Sequence, residues 1–370
     1  MSKKRTLLIT SVSSLVGQNI LDTLNNRRGN LKIVGTNSIA EAAYNFRCEK
    51  TYLVPPAAQT PDFSEALVEI IEKENPDIII PGRDDDIVIL SQLRQKMPRH
   101  REKFLVGSEH LACIMDDKVK SYAFAQKYSL PFAPTVKSGV LEEQESARRL
   151  VEKYGFPLIA KPSRGNGSRG IWIVIDQTRL DAIIKEPGYA IQPFFGQPKE
   201  LEFDTRFGLP FFWEVPENNL YSVQVSIGKD GQLGPSSGAV AKMVGGKAER
   251  VILSNDSDMM AIADGFFRVF AKEGWRGPIN LQLKKDEHFG YQAIEINGRF
   301  VGSTSARHLL GFDQVGWLIN EWIGEEIIAR SLESEGITLI AKSLCDFGIK
   351  QSDMDLLSEQ KQWVRPKSDK

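Results

Sequence analysis

Residues 160–171 read Ala160-Lys161-Pro162-Ser163-Arg164-Gly165-Asn166-Gly167-Ser168-Arg169-Gly170-Ile171. Strand-like sequence flanks this stretch at 157–161 and 171–175. Glycines packed this closely let backbone N–H groups approach and cradle phosphates. Lys161 supplies a point charge at one end of the loop, and Arg164 and Arg169 add cationic reach. No Gly-Lys-Ser/Thr opens a helix here, so the loop is not a P-loop. Alone, such a turn is more often a flexible hairpin.

A second stretch lies downstream. Ile279-Asn280-Leu281-Gln282-Leu283 precedes Ala293-Ile294-Glu295-Ile296-Asn297-Gly298-Arg299. On a strand, Glu295 and Asn297 point to the same side. Their oxygens suit one or two Mg²⁺ ions, which prefer oxygen ligands and bridge substrate phosphates. Gln282 sits on the neighbouring predicted strand and projects to that face. Arg299 continues the alternation toward a phosphate. A solvated polar strand face is the bland reading of the same residues.

Around these stretches the pattern divides into three. Residues 6–10, 31–35, 77–81 and 104–107 read as strands alternating with helices at 16–24, 63–73 and 87–95, which implies a parallel doubly wound sheet over 1–111. Helices at 115–128 and 142–153 and strands at 157–161, 171–175 and 189–195 make a small α+β unit over 112–195. Strands at 200–206, 211–214, 221–227, 238–243, 277–283 and 292–296 give an antiparallel domain over 196–357, with helices at 258–272 and 313–323. The polar tail 358–370 reads as fraying.

The sequence from Arg5 to Glu325 resembles the ATP-grasp superfamily, in the branch similar to the carbamoyl-phosphate synthetase large subunit. The order and spacing of five weak motifs carry the resemblance. It implies a Rossmann-like first domain, a middle lid and an antiparallel C-terminal domain, with ATP between the last two. Asp117-Lys118, followed by Leu130-Pro131 and Pro134, resembles the entry to the middle domain, where Lys118 reaches the nucleotide phosphates. Lys161 matches the second basic residue. Ser163, Arg164, Gly165, Gly167, Ser168 and Gly170 match the mobile phosphate lid. Gln192 and Phe194 fall in the hinge strand that meets adenine, where the family often has Glu in place of Gln192. In Lys199-Glu200-Leu201-Glu202 the ribose-binding carboxylate corresponds to Glu200, with Glu202 a close rival. Gln282, Glu295 and Asn297 match the metal ligands and Arg299 the phosphate-contacting arginine; Gly298 replaces the usual proline.

The resemblance implies an ATP-dependent ligase that activates a substrate carboxylate as an acylphosphate and joins it to an amine, releasing ADP and phosphate. The implied small molecules are ATP, Mg²⁺ (with Mn²⁺ able to substitute), a carboxylate and an amine. A homodimer is the common assembly of such relatives. Lys242 and Lys247 flank a glycine-rich turn and would neutralise the moving phosphoryl group; solvated lysines are the competing reading. Arg307, in Ser303-Thr304-Ser305-Ala306-Arg307, would pair with a substrate carboxylate. Two alternatives stay open: a bicarbonate-phosphorylating enzyme, and a nucleotide-binding module without catalysis.

Other classes fit poorly. The 370 residues carry a net charge of −1, so no basic footprint points to nucleic acid. The turn Thr10–Gly17 has Val12 and Ser14 where a dinucleotide fingerprint needs glycine. The acidic run Asp84-Asp85-Asp86 reads as the start of a helix, with contact to a substrate amine as the sharper alternative. Three scattered cysteines and the lack of an apolar membrane-length run point to a reducing, cytoplasmic setting.

Overall fold

The computed structural model describes residues 4–165, 169–196, 219–244, 246–329, 336–343 and 345–366. The chain begins with β1 (Arg5–Ile9), α1 (Leu15–Leu24), β2 (Leu31–Asn37), β3 (Lys50–Leu53), α2 (Thr60–Glu74), β4 (Ile78–Ile80) and α3 (Asp84–Lys96). The four strands pair in parallel, in the order β3-β2-β1-β4. Their apolar runs are buried on both faces, as a parallel sheet covered by helices requires. Ser14 caps α1 by accepting from the Gly17 amide. Gly17 packs so closely that a Cβ would lie 2.3 Å from the Val12 carbonyl oxygen. Its place in the fingerprint is therefore structural.

Next come α4 (Glu109–Met115), α5 (Lys118–Lys127), β5 (Val136–Lys137), α6 (Gln144–Tyr154), β6 (Leu158–Pro162), β7 (Trp172–Val174), α7 (Gln177–Ile183) and β8 (Tyr189–Pro193). The strands form a small sheet in the order β5-β8-β6-β7, with its own core around Leu150, Leu158, Leu180 and Ile191. This is the predicted lid unit.

The third part holds β9 (Asn219–Ile227), β10 (Leu233–Val244), β11 (Lys247–Leu253), α8 (Ser257–Lys272), β12 (Gly277–Asp286), β13 (Gly290–Asn297), α9 (Thr304–Leu309), α10 (Gln314–Ile323) and β14 (Leu339–Ala341). Its antiparallel sheet runs β13-β12-β9-β10-β11-β14. One face packs Val223, Val225, Ile279 and Leu281 into the same core as Phe266 and Phe270 of α8. The alternate residues of the same strands are polar and face α9 and α10. A helix, α11 (Gln351–Gln360), and a last strand, β15 (Gln362–Val364), close the described chain.

Several expectations need correction. The 115–128 helix is two helices, because Asp117 leaves helical geometry and caps α5 by accepting from the Val119 and Lys120 amides. The 104–107 strand reduces to a single bridge between Phe104 and Ile79. Residues 247–253, where no strand is expected, form β11 and pair with β10. The tail does not fray at 358: β15 pairs antiparallel with β3, and buried Trp363 packs edge-on against Phe46 at 5.3 Å. One aromatic anchor outweighs its polar neighbours. The strands expected at 200–206 and 211–214 lie outside the described residues.

Candidate active site

The lid side is built at the seam between α5 and β6. Lys118 opens α5, and its amide donates to the Ser163 carbonyl at 2.9 Å. Its ammonium donates to the carbonyls of Pro162 and Gly165, at 3.3 and 3.2 Å. The backbone of the glycine-rich loop is thus tied to the first residue of α5. Arg164 stays largely exposed, 3.5 Å from Asp116 and 3.8 Å from Asp117. Gly165 and Gly170 have φ of +126° and +70°, a backbone state that favours glycine. Gly167 and Ser168 lie outside the described residues.

Lys161 on β6 is buried. Its ammonium donates to Gln192 Oε1 at 3.1 Å, and Gln192 Nε2 donates onward to Thr135 Oγ1 at 2.9 Å. Burial pulls the Lys161 ammonium down to about 8, while Glu295 opposes that shift and Lys118 and Lys284 add to it. The Glu295 carboxylate, on the C-terminal sheet, favours the charged form of the lysine. A buried cation held by a neutral amide gains strongly from an incoming anion. Phe194 follows on from β8 and is half-buried. Glu200 and its rival Glu202 lie outside the described residues.

The opposite wall is the C-terminal sheet. Gln282 stands across from Glu295, and Asn280 across from Asn297. Asn297 joins them: its Oδ1 accepts from Gln282 Nε2 at 3.1 Å and its Nδ2 donates to Glu295 Oε1 at 3.0 Å. Asn297 thus links one carboxylate and a second amide side by side on the sheet. This oxygen-only set suits a hard cation, with the phosphates of a nucleotide supplying the remaining charge. Gly298 lies against Trp275: a Cβ there would fall 2.3 Å from its ring. The buried indole explains why glycine stands here.

Arg299 leaves β13 toward the first domain and meets Asp84 at 2.7 Å, while Asp84 Oδ1 accepts from Asn297 Nδ2 at 3.4 Å. Asp84 was read as part of a helix start, and the acidic run does fill the first turn of α3. The three acids diverge, however. Asp86 is buried under the hydroxyls of Thr10 and Ser11, and burial pushes it up to about 6. Asp84 instead joins the site. A separation of more than two hundred residues leaves no periodic signal for that contact.

The other candidates divide. Lys242 lies on β10, half exposed and paired with Glu249 at 2.9 Å. Lys247 opens β11 beyond the turn. Arg307 on α9 is fully buried, donating to Ser237 O at 2.6 Å and to Ser222 Oγ at 2.7 Å. His308 turns away to Asp313 at 3.5 Å, in a cluster with Arg27.

The three sheets, with a basic lid facing an oxygen-rich antiparallel sheet, define the ATP-grasp fold. Residues 117–201 match the family described as carbamoyl-phosphate synthase L chain, ATP binding domain. Pyruvate carboxylase of Staphylococcus aureus is 29% identical over 154 residues, 40% of this chain and 13% of the relative. N5-carboxyaminoimidazole synthetase of Staphylococcus aureus superposes with a TM-score of 0.66 at 13% identity, covering 97% of this chain and 86% of that one. L-amino acid ligase of Bacillus licheniformis gives 0.62 at 15% identity, covering 91% and 77%. Among the first curated relatives the match spans 12% to 30% of their own length.

Proposed function

We propose that this chain is an ATP-dependent carboxylate–amine ligase. The observation that carries the reading is the combination of Lys118, bonded to the glycine-rich loop beside buried Lys161, with the Gln282–Asn297–Glu295 cluster on the C-terminal sheet. The proposed domain bounds are 111, 195 and 357, with β15 of the last segment pairing with β3 of the first sheet. ATP would lie in the cleft between the second and third. Glu295, Asn297 and Gln282 would hold Mg²⁺, or Mn²⁺ in its place, which supplies charge neutralisation for the phosphates.

A carboxylate oxygen of the acid attacks the γ-phosphorus. The bond from that phosphorus to the bridging oxygen breaks, and ADP leaves with the electron pair. The amine nitrogen then attacks the acyl carbon, phosphate departs, and the nitrogen loses a proton to water. Neither step needs a protein nucleophile; both need positioning and cationic charge. Lys118 and Lys161 bind and orient the phosphates. Arg299, released from Asp84, would meet the transferring group, and Lys242 is placed to add charge from β10. The fold is shared with an L-amino acid ligase, which supports an amine as acceptor. A homodimer in a reducing, cytoplasmic setting is the proposed context, and the three cysteines are unpaired.

Release of ADP and phosphate from Mg-ATP, screened over small acids with amines, tests this reading. Acid-dependent turnover lost in Glu295→Ala supports it; absence of nucleotide binding contradicts it. The similarity to pyruvate carboxylase favours a second reading, in which bicarbonate is the acid. Stimulation of ADP release by bicarbonate alone would single that out.

A further inference from the structure

The polar face of the C-terminal sheet continues beyond the metal-type residues. Asn297 stands opposite Asn280, Asn280 opposite Gln224, and Gln224 opposite Ser237, so one row crosses four strands. The adjoining row runs from Glu295 through Gln282 to Ser222. Arg307 roofs both rows from α9. Four of its N–H groups are taken by the carbonyl and hydroxyl oxygens of Ser222 and Ser237. Its Nε is buried with no partner, and no carboxylate approaches the guanidinium among the described residues. Gln224 is 1% exposed, and both atoms of its amide lack partners; Asn280 Oδ1, at 2% exposure, lacks one too.

Buried polar groups in folded proteins are almost always paired. Three unpaired atoms in one row and a fourth on the arginine that roofs it, beside the candidate metal-holding residues, point to a ligand. The open donors are Arg307 Nε and Gln224 Nε2, one of them cationic. The open acceptors are Gln224 Oε1 and Asn280 Oδ1. Two donors match a carboxylate, and two acceptors match an N–H or O–H beside it. Ser222, Gln224, Ser237 and Asn280 give the row its polar character, while Ala239, Ala241 and Val251 pack with Ala306 and Leu310 beside it.

We propose that this row is the acid subsite, and that it takes a small α-amino or α-hydroxy acid, its carboxylate on Arg307 and Gln224 and its α-substituent on Gln224 and Asn280. The inference rests on the ligase reading and names its substrate class. Enclosure of the row keeps water from the acylphosphate, and entry requires α9 to shift.

The test uses the full chain with Mg-ATP and hydroxylamine, which captures an acylphosphate as a hydroxamate. L-alanine and L-lactate are compared with propionate, the same skeleton without the donor, and with hexanoate. The expected kcat/KM for alanine or lactate exceeds that for propionate by at least about 100-fold, because a site built to hydrogen-bond a group rejects the analogue lacking it. In Gln224→Leu that ratio falls toward one, and in Arg307→Lys the KM for the acid rises about tenfold. Mg-ATP affinity, read by titration calorimetry, stays within about twofold in both variants and shows that they are folded. Equal use of propionate and alanine, an unchanged ratio in Gln224→Leu, or silence toward all four acids with Mg-ATP bound overturns the subsite; the row then holds ordered water. Loss of Mg-ATP binding in the unmodified chain overturns the ligase reading instead.

Discussion

The two faces of the six-stranded sheet are made by the same strands and could hardly differ more. Toward α8, Val223, Val225, Ile227, Ile279, Leu281 and Leu283 of β9 and β12 join Phe266 and Phe270 in one apolar core. Toward α9 the intervening residues are Ser222, Gln224, Asn280 and Gln282, several of them buried and unpaired. The first face exists for stability, since apolar burial is what holds a sheet to a helix. The second works against stability, because each buried unpaired polar atom costs about 1–3 kcal/mol. A protein whose net stability is about 5–15 kcal/mol keeps such a face for a ligand.

Substitutions can break or sharpen that contrast. On the apolar face, Phe270→Ala should lower the unfolding free energy by about 3–5 kcal/mol, read from denaturant midpoints. On the polar face, Glu295→Ala should leave the midpoint nearly unchanged and lower kcat by about 10²–10³, the usual cost of removing one charge-stabilising group. A large loss of stability there would mean that the face is structural.

Across the cleft, pH reports on Lys161. Its ammonium titrates near 8 in the nucleotide-free protein. It is charged below that pH and neutral above it, and phosphate favours the charged form. Mg-ATP affinity should therefore fall above about pH 8 by up to about tenfold per pH unit, with uptake of a proton on binding. A flat profile from pH 7 to 9 would show that Lys161 does not meet the phosphates. The smallest effect sharpens the contrast most. Gln224→Leu, which removes two unpaired atoms, should raise stability by about 1 kcal/mol while weakening use of the acid. Lower stability would mean that Gln224 has a structural partner.

Much of this was legible in the chain. Alternation in Glu295-Ile296-Asn297 is a period-2 signal, and it placed both side chains on one face as read. The glycines after Lys161 marked a turn for an equally local reason, and Gly165 and Gly170 do take positive φ. What the sequence hid is non-local. Asp84 meets Arg299 through the packing of α3 against the end of β13, and Gln224 reaches its place only when β9 inserts between β12 and β10. Trp363 anchors a polar tail through a single indole, which composition averages away. Arg307 was read as a partner for a carboxylate; its burial beneath Ser222 and Ser237 emerges only from the assembled sheet.

Positional isotope exchange tests the central claim most directly. ATP carrying ¹⁸O in the β–γ bridge is incubated with Mg²⁺, the enzyme and an acid, without an amine. If the acid is phosphorylated reversibly, the freed β-phosphate of ADP rotates before ATP re-forms. The bridge label then scrambles into non-bridging positions, only when the acid is present, and not in Glu295→Ala. Exchange that ignores the acid, or its absence where acid and amine together release ADP, would contradict an acylphosphate and with it the account of this site.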